Sequence, residues 1–289
     1  MFKKLLKYDL ASVGRIWWIL GISIILVMIA ESFVFRICLE ILMSSTDEGT
    51  IVIAAMSLML AYTLGIFVIS ATAIATEVFV YFRFYKHLYT DEGYLTFTLP
   101  VSRKKILLSK TVNAMVGIFA EIVAIFIGLL IAMLIMPPAE DGGALINTTV
   151  FRALEEFFFQ SLIALEGWFF VYVAEAILLF VLTLLASISL VHFCITVGAV
   201  IVKKLKLLAG IGIYYAVSSV VGGIIYIFAL SGTLFMVAGF VDYLTAAPQG
   251  IICASIAVIV LILCAMVASF AAIFYFATLN LLERKLNLA

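Results

Sequence analysis

Residues 172–204 read YVAEAILLFVLTLLASISLVHFCITVGAVIVKK, an apolar run that ends at a pair of lysines. A helix of about 20 apolar residues crosses a bilayer, and lysines beside a span mark its cytoplasmic end. The run therefore predicts one span over 172–202. The longer apolar stretch 157–202 could hold two spans, but two would place Lys203 and Lys204 outside. We favour one span, preceded by an outer amphipathic segment that carries four charged residues: Arg152, Glu155, Glu156 and Glu166.

The other basic residues repeat this arrangement along the chain. Of the 17 lysines and arginines, all but Arg36 and Arg152 lie in four short stretches that flank apolar runs: 3–15, 83–110, 203–206 and 284–285. The intervening loops carry mostly acidic residues, namely Glu40, Asp47, Glu48, Glu140, Asp141 and Asp242. Because cytoplasmic loops retain positive charge, the alternation predicts a multi-pass membrane protein with both termini in the cytoplasm.

The apolar runs predict an all-α fold with six transmembrane helices. Their approximate bounds are 16–37, 51–82, 104–136, 172–202, 207–230 and 250–280. Hydrophobic residues make up 66% of the chain and charged residues 12%, whereas roughly a quarter of residues are charged in soluble domains. No linker divides the chain, so we expect a single transmembrane domain over 1–289.

Two further segments are apolar without forming complete spans. Residues 1–15 place their apolar side chains near one helical face and are predicted to form an interfacial amphipathic helix, since no cleavage site follows them. Residues 232–249 include Asp242 and Pro248, and we expect them to form an outer re-entrant or short helix.

The sequence carries no recognisable enzyme signature. It contains no G-x-x-x-x-G-K-[ST] phosphate loop, and its two histidines cannot form a histidine metal cluster. The four cysteines lie in or beside apolar runs without a CxxC pair, which favours buried, unligated thiols. The basic residues flank spans and form no stripe for nucleic acid. We expect no catalysis, cofactor or metal in this chain.

The predicted cytoplasmic loop 83–102 is unusual because it carries many apolar side chains: Tyr85, Leu88, Tyr89, Tyr94, Leu95, Phe97 and Leu99. In water these side chains need a partner, either the membrane interface or another protein. Gly93 is predicted to interrupt the helix, and Pro100 should stop it before Ser102, which can cap the third span. We therefore expect a helix–turn–helix elbow, with an interfacial turn anchored by aromatic residues as the alternative.

Residues 89–105 read YTDEGYLTFTLPVSRKK, and Ser109-Lys110 follow. This stretch resembles bacterial ABC-2-type transporter permeases, in which an acidic-Gly/Ala-Tyr-Leu-Thr-x-Thr-Leu-Pro element precedes a basic stretch and the third span. The resemblance implies an ABC-2-type exporter fold and a permease that dimerises with an identical or homologous copy. It also implies that two separate ABC ATPase subunits dock on this loop, through Tyr85, Leu88, Tyr89, Asp91, Glu92, Gly93, Tyr94, Leu95, Phe97, Leu99 and Pro100.

Three acidic residues and a histidine lie inside the apolar runs: Glu77, Glu121, Glu175 and His192. A central ionised acid costs roughly 2.5–3.5 kcal/mol on insertion scales, so each needs a partner, a cavity or a proton. We expect Glu121 and Glu175 to line a translocation path or dimer seam, with interhelical hydrogen bonding as the alternative. Glu77 should reach cytoplasmic cations such as Lys86 or Arg83.

Together these patterns favour the permease subunit of an ATP-driven exporter in the bacterial cytoplasmic membrane. The substrate would be hydrophobic or amphipathic, such as a peptide or drug, and the partner subunit would hydrolyse ATP. Two alternatives stay open. One is a membrane scaffold or sensor that binds a regulatory protein, and the other is a secondary transporter that couples to protons through Glu121.

Overall fold

A computed structural model describes residues 2–44, 46–98, 100–135, 149–165, 167–202, 204–235 and 248–284. These residues form eight α-helices: α1 (Phe2–Ser44), α2 (Glu48–Tyr89), α3 (Asp91–Thr98), α4 (Arg103–Ile135), α5 (Thr149–Leu165), α6 (Trp168–Ile201), α7 (Lys206–Phe235) and α8 (Gln249–Arg284). Six of them, all except α3 and α5, are long and apolar enough to cross a membrane. The described residues confirm the predicted all-α fold and contain six helices that are long and apolar enough to be the six predicted spans, as expected for a multi-pass membrane protein.

The stretch 157–202 holds one span, as predicted. Helix α5 ends at Leu165, and α6 begins at Trp168 after Gly167 and runs for 34 residues. With Arg152, Glu155 and Glu156 in its sequence, α5 is not among the helices apolar enough to cross a membrane. The predictions for Glu166 and Lys203 lie outside the described residues.

The first helix differs from its predicted bounds. Helix α1 is continuous from Phe2 to Ser44, so the segment 1–15 is not a separate helix. Residues 2–44 contain no proline that would end the helix. The space around Gly14 is open, so packing at this glycine does not force a bend. The interfacial position of residues 2–15 stays a prediction. Several other predictions concern residues outside the described part: Glu140, Asp141, Lys285, Asp242 and most of 232–249, of which α7 includes 232–235.

Helix starts follow from local chemistry. The Asp47 carboxylate accepts hydrogen bonds from the backbone N–H of Thr50 at 3.0 Å and from its hydroxyl at 2.5 Å, which caps α2. At α8, the carbonyl of Pro248 accepts the N–H groups of Ile251 at 2.9 Å and Ile252 at 3.2 Å. Both devices satisfy backbone groups that a helix end otherwise leaves without a partner.

The helices assemble into two compact units. Unit 1 comprises residues 1–82 and 112–160, and unit 2 comprises 83–111 and 161–289. In unit 1, α1 and α2 are antiparallel, since the Cys38 sulfur lies 3.3 Å from the Ser57 hydroxyl and the Glu31 side chain packs on Gly65.

In the same unit, α1 and α4 run parallel. The Trp17 ring packs on Gly117, Met28 packs on Gly128, and Arg36 donates to the carbonyl of Ile135 at 3.2 Å. The directions of α1, α2 and α4 therefore alternate along the chain, as three successive membrane spans require.

Unit 2 shows the same alternation. Helices α6 and α8 are parallel, because the Tyr172 hydroxyl donates to the Cys253 carbonyl at 3.0 Å and the rings of Phe193 and Phe274 meet at 5.1 Å. Helix α7 runs antiparallel to α6. The first residues of α4 meet the last residues of α8 where Arg103 donates to the Glu283 carbonyl at 3.0 Å. We call this end of unit 2 the elbow end.

The turn between α6 and α7 contains a strained residue. Leu205 has φ 58°, in the left-handed region, which costs an L-residue about 1–2 kcal/mol. Asparagine tolerates this conformation better, so Leu205→Asn should raise the free energy of unfolding by about 1 kcal/mol. Denaturant unfolding of the purified protein in micelles measures this change in the free energy of unfolding. The matched variant Leu208→Asn, at an exposed helical leucine, should give no gain, and equal gains would contradict the strain argument.

Candidate functional site

The predicted elbow is a distinct structure within unit 2. Helix α2 ends at Tyr89, the chain bends at Thr90, and α3 follows from Asp91. The prediction that Gly93 interrupts the helix is therefore wrong: Gly93 lies inside α3, and its N–H donates to the Thr90 carbonyl at 2.8 Å. Glycine is needed for space, because a Cβ there would lie 2.6 Å from the carbonyl oxygen of Leu88.

The end of α2 is fastened to α6. The Thr196 hydroxyl donates to the His192 carbonyl at 2.7 Å, so it accepts the Tyr89 hydroxyl proton across 2.6 Å. One turn earlier, Phe84 stacks on His192 with ring centroids 3.7 Å apart. Leu88, which lies between Phe84 and Tyr89 in sequence, is fully buried. We call Phe84, Leu88 and Tyr89 the α2 anchor.

The anchor bears on three of the predicted docking residues. Leu88, Tyr89 and Gly93 are buried within the chain, so they are not presented at its surface, and docking through the loop stays a prediction. Their side chains and backbone instead support α3 from its inner side. Tyr85 is half-buried, and the prediction for Leu99 lies outside the described residues.

A charged cluster joins α2, α3 and α4. Glu92 lies 2.8 Å from the Lys86 ammonium and 3.6 Å from Nε2 of His87, whose Nδ1 lies 2.9 Å from the Lys110 ammonium. An ammonium group only donates, so Nδ1 accepts and the imidazole proton lies on Nε2, facing Glu92. The hydrogen bond from Lys86 lowers the pKa of the Glu92 carboxyl, which therefore stays ionised at neutral pH.

The far end of α3 is tied to α4 and α8. Arg103 lies over the half-buried Phe97 ring, 5.6 Å from its centroid, and its guanidinium donates to the carbonyls of Leu282 and Glu283. A cation at the C-terminus of α8 also complements the helix dipole. The Ser102 carbonyl accepts the Lys105 N–H at 2.9 Å, so α4 begins after Pro100 as predicted.

The exposed side of α3 is a single helical face. Asp91, Tyr94, Leu95 and Thr98 are all exposed and follow the i, i+3, i+4, i+7 spacing of one face. Tyr94 is 64% exposed and Leu95 is 67% exposed. We call these four residues the α3 outer face, and Pro100 is exposed just beyond it. The elbow thus turns a tyrosine and a leucine outward while its other side is held in place.

Glu121 lies in unit 1 and is only 8% exposed. The Thr76 side chain forms a hydrogen bond to it. Both residues line a small cavity with Trp17, and the space holds about one water molecule. Within the described residues, Glu121 Oε1 and Trp17 Nε1 have no hydrogen-bond partner. The bond to Thr76 supports the interhelical alternative, and a role in a translocation path stays a prediction.

Glu175 lies in unit 2 on α6 and is 5% exposed. Neither carboxylate oxygen has a hydrogen-bond partner among the residues that the structure describes. Its predicted role in translocation also stays untested. Glu77 is exposed, and its predicted reach to Lys86 or Arg83 stays a prediction. Lys86 forms an ion pair with Glu92.

Sequence reasoning recognised the elbow but missed the anchor. The i, i+4 spacing of Phe84 and Leu88 was an available signal, because it continues the buried side of α2 into the loop. Nothing in the sequence indicated that His192 and Thr196 would receive these side chains. Their contact depends on which two spans pack together.

Within the described part of the chain, no group of three potential metal ligands comes together, and all four cysteines are buried and free. The elbow is therefore the site with the most specific geometry. The chain matches no protein-family model, no curated protein and no solved structure.

Proposed function

We propose that this chain is the permease subunit of an ATP-driven ABC transporter of the ABC-2 type, which exports a hydrophobic or amphipathic molecule such as a peptide or drug. It would lie in the bacterial cytoplasmic membrane with both termini inside and pair with an identical or homologous permease. Two ATPase subunits would supply ATP hydrolysis. The six candidate spans and the resemblance of residues 89–105 to ABC-2-type permeases support this proposal.

The α3 outer face is the observation that carries the proposal. The charge pattern predicts that the elbow end of unit 2 faces the cytoplasm, where exposed Tyr94 and Leu95 contact water unless a partner covers them. Burying a leucine side chain contributes about 1.5–3 kcal/mol, so covering both side chains favours complex formation. An ATPase subunit is the partner that the resemblance implies.

The contacts beneath α3 suit it to transmit movement. The Tyr89 hydroxyl joins the elbow to α6, and Arg103 joins it to the end of α8. A displacement of α3 by a docked ATPase would therefore act directly on two spans. Because these contacts are buried or doubly hydrogen-bonded, the elbow would move with the span ends instead of flexing alone.

Coexpression with a candidate ABC ATPase, followed by affinity purification, tests the docking. The double variant Tyr94→Asp/Leu95→Asp places two carboxylates where apolar side chains would be buried against the ATPase, and burying these charges is unfavourable. Central interface residues cost about 2 kcal/mol or more each, so we expect a loss of affinity of roughly a hundredfold or greater. The copurified ATPase and its transport-linked ATP turnover should both fall to background.

Leu205→Asp is the matched control, because Leu205 is an exposed leucine at the elbow end but outside α3. It should retain the complex. An intact complex in a folded double variant would refute docking through the α3 outer face. A scaffold or sensor would instead lose its partner without any change in ATP turnover. A proton-coupled transporter would work without an ATPase and would change its pH dependence in Glu121→Gln.

A further inference from the structure

Helix α5 separates its apolar and polar residues more sharply than the other described helices. One face carries Leu154, Phe158, Leu162 and Leu165, at i, i+4, i+8 and i+11. The opposite face carries Arg152, Glu156 and Gln160 at four-residue spacing, with the exposed Ile163 among them, and Glu155 lies at the edge of the apolar face. Such a helix fits a boundary between an apolar medium and water.

Both faces of α5 reach the surface of the chain. All side chains from Arg152 to Gln160 are exposed, including Leu154 at 47% and Phe157 at 72%. A row of aromatic and aliphatic side chains is unfavourable in water. The helix is also too polar and too short to cross the bilayer.

The chain connection to α6 and one hydrogen bond to α8 fix the position of the C-terminal end of α5. Its last residue, Leu165, lies shortly before Trp168, the first residue of the span α6. The Gln249 side chain, at the first residue of the span α8, donates to the Ala164 carbonyl at 2.7 Å. The C-terminus of α5 therefore lies beside the first residues of two candidate spans.

We propose that α5 is a lipid-binding helix that lies flat on the membrane, on the face where α6 and α8 begin. Its leucines and Phe158 enter the boundary between headgroups and acyl chains, while Arg152, Glu156 and Gln160 face water. At 1.5 Å per residue the helix covers about 26 Å of membrane surface. Lipid is favoured over a protein partner because the C-terminus of α5 is attached beside the starts of two candidate spans, where a bilayer surface is expected.

Because α5 is attached to α6 and α8, its contact with lipid also affects these two spans. A change in lipid packing around α5 acts on the first turns of both spans through Leu165 and Gln249. This inference is independent of the proposed transport function, since it depends only on the faces of α5 and the two attachments.

Spin labels at single introduced cysteines test the orientation in lipid nanodiscs. Leu154→Cys and Phe158→Cys place the label on the apolar face, and Glu156→Cys and Gln160→Cys place it on the polar face. All four native cysteines are buried, so the unmutated protein is the labelling control. Oxygen partitions into lipid, whereas a nickel chelate stays in water. We expect the ratio of oxygen to nickel collisions to be several-fold higher at 154 and 158.

Two outcomes would overturn the proposal. Equal access of the nickel chelate at all four positions would mean that α5 stands in water. Shielding of 154 and 158 from both reagents would mean that protein, such as a second copy of this chain, covers the apolar face. Because each mutated side chain is exposed, thermal unfolding should match that of the unmutated protein and confirm that the labels report on the native fold.

Discussion

Gly93→Ala is expected to disrupt the elbow and to lower the free energy of unfolding by about 3 kcal/mol, at the upper end for overpacked sites. A Cβ at this position would lie 2.6 Å from the carbonyl oxygen and 2.8 Å from the carbonyl carbon of Leu88. These are backbone atoms, so no side-chain rotation relieves the clash. Leu88 cannot move away without opening the α2 anchor, because its side chain is fully buried.

Denaturant unfolding and hydrogen exchange measure this effect together. Exchange should accelerate at the amides of α3 and the last turn of α2, and ATPase copurification should fall with it. Gly212→Ala is the matched control, since a Cβ there meets nothing within 4 Å, and alanine in a helix interior should stabilise by up to about 1 kcal/mol. If Gly93→Ala is as stable as the control, the close approach of α3 to Leu88 is wrong.

The number of spans could be predicted from the sequence because it depends on local properties. An apolar run of sufficient length needs no knowledge of its neighbours, and the lysines after residue 202 decided between one span and two. The structure ends α5 at Leu165 and gives α6 as one helix from Trp168 to Ile201. Residue 15, where we placed the end of the interfacial segment, is not a helix end, because α1 continues through it to Ser44.

The interior of the elbow could not be predicted in the same way. Leu88 and Leu95 are the same residue type in one short loop, yet Leu88 is fully buried and Leu95 is 67% exposed. The difference arises from tertiary packing at the end of α2, where Phe84 and Tyr89, on either side of Leu88 in sequence, contact α6. For the same reason, Gly93 suggested a conformational break, whereas its actual role is to admit the Leu88 carbonyl.

Glu121 shows a similar limit. Its depth along α4 was visible in the sequence and indicated that it needed a partner. That the partner is Thr76 on α2, beside a cavity lined by Trp17 on α1, depends on the packing of three helices. A buried acid in a span therefore identifies a position worth testing, but not what that position contacts.

Gly198→Ala should separate the elbow-end turns of α6 and α7. We expect it to lower the free energy of unfolding by about 3 kcal/mol or more. A Cβ on Gly198 would lie 2.7 Å from the Cα of Gly210 and 3.0 Å from the Lys206 carbonyl oxygen. Small residues permit this backbone contact in the membrane, where packing drives helix association. A Cβ on Gly210 would lie 3.0 Å from the Ile195 Cα at its nearest contact. Gly210→Ala should therefore lower the free energy of unfolding by less, about 1 kcal/mol.

Cys194 reports this separation directly, because its thiol is fully buried one turn before Gly198. In Gly198→Ala a thiol reagent should modify Cys194 faster, while Cys38 in unit 1 keeps its rate and serves as the internal control. Gly222→Ala, where a Cβ meets nothing within 4 Å, should leave both rates unchanged. Since Thr196 holds the Tyr89 hydroxyl on the same turn of α6, the damage should reach the elbow and weaken ATPase docking. Unchanged stability together with an unreactive Cys194 would show that α6 and α7 do not meet through Gly198.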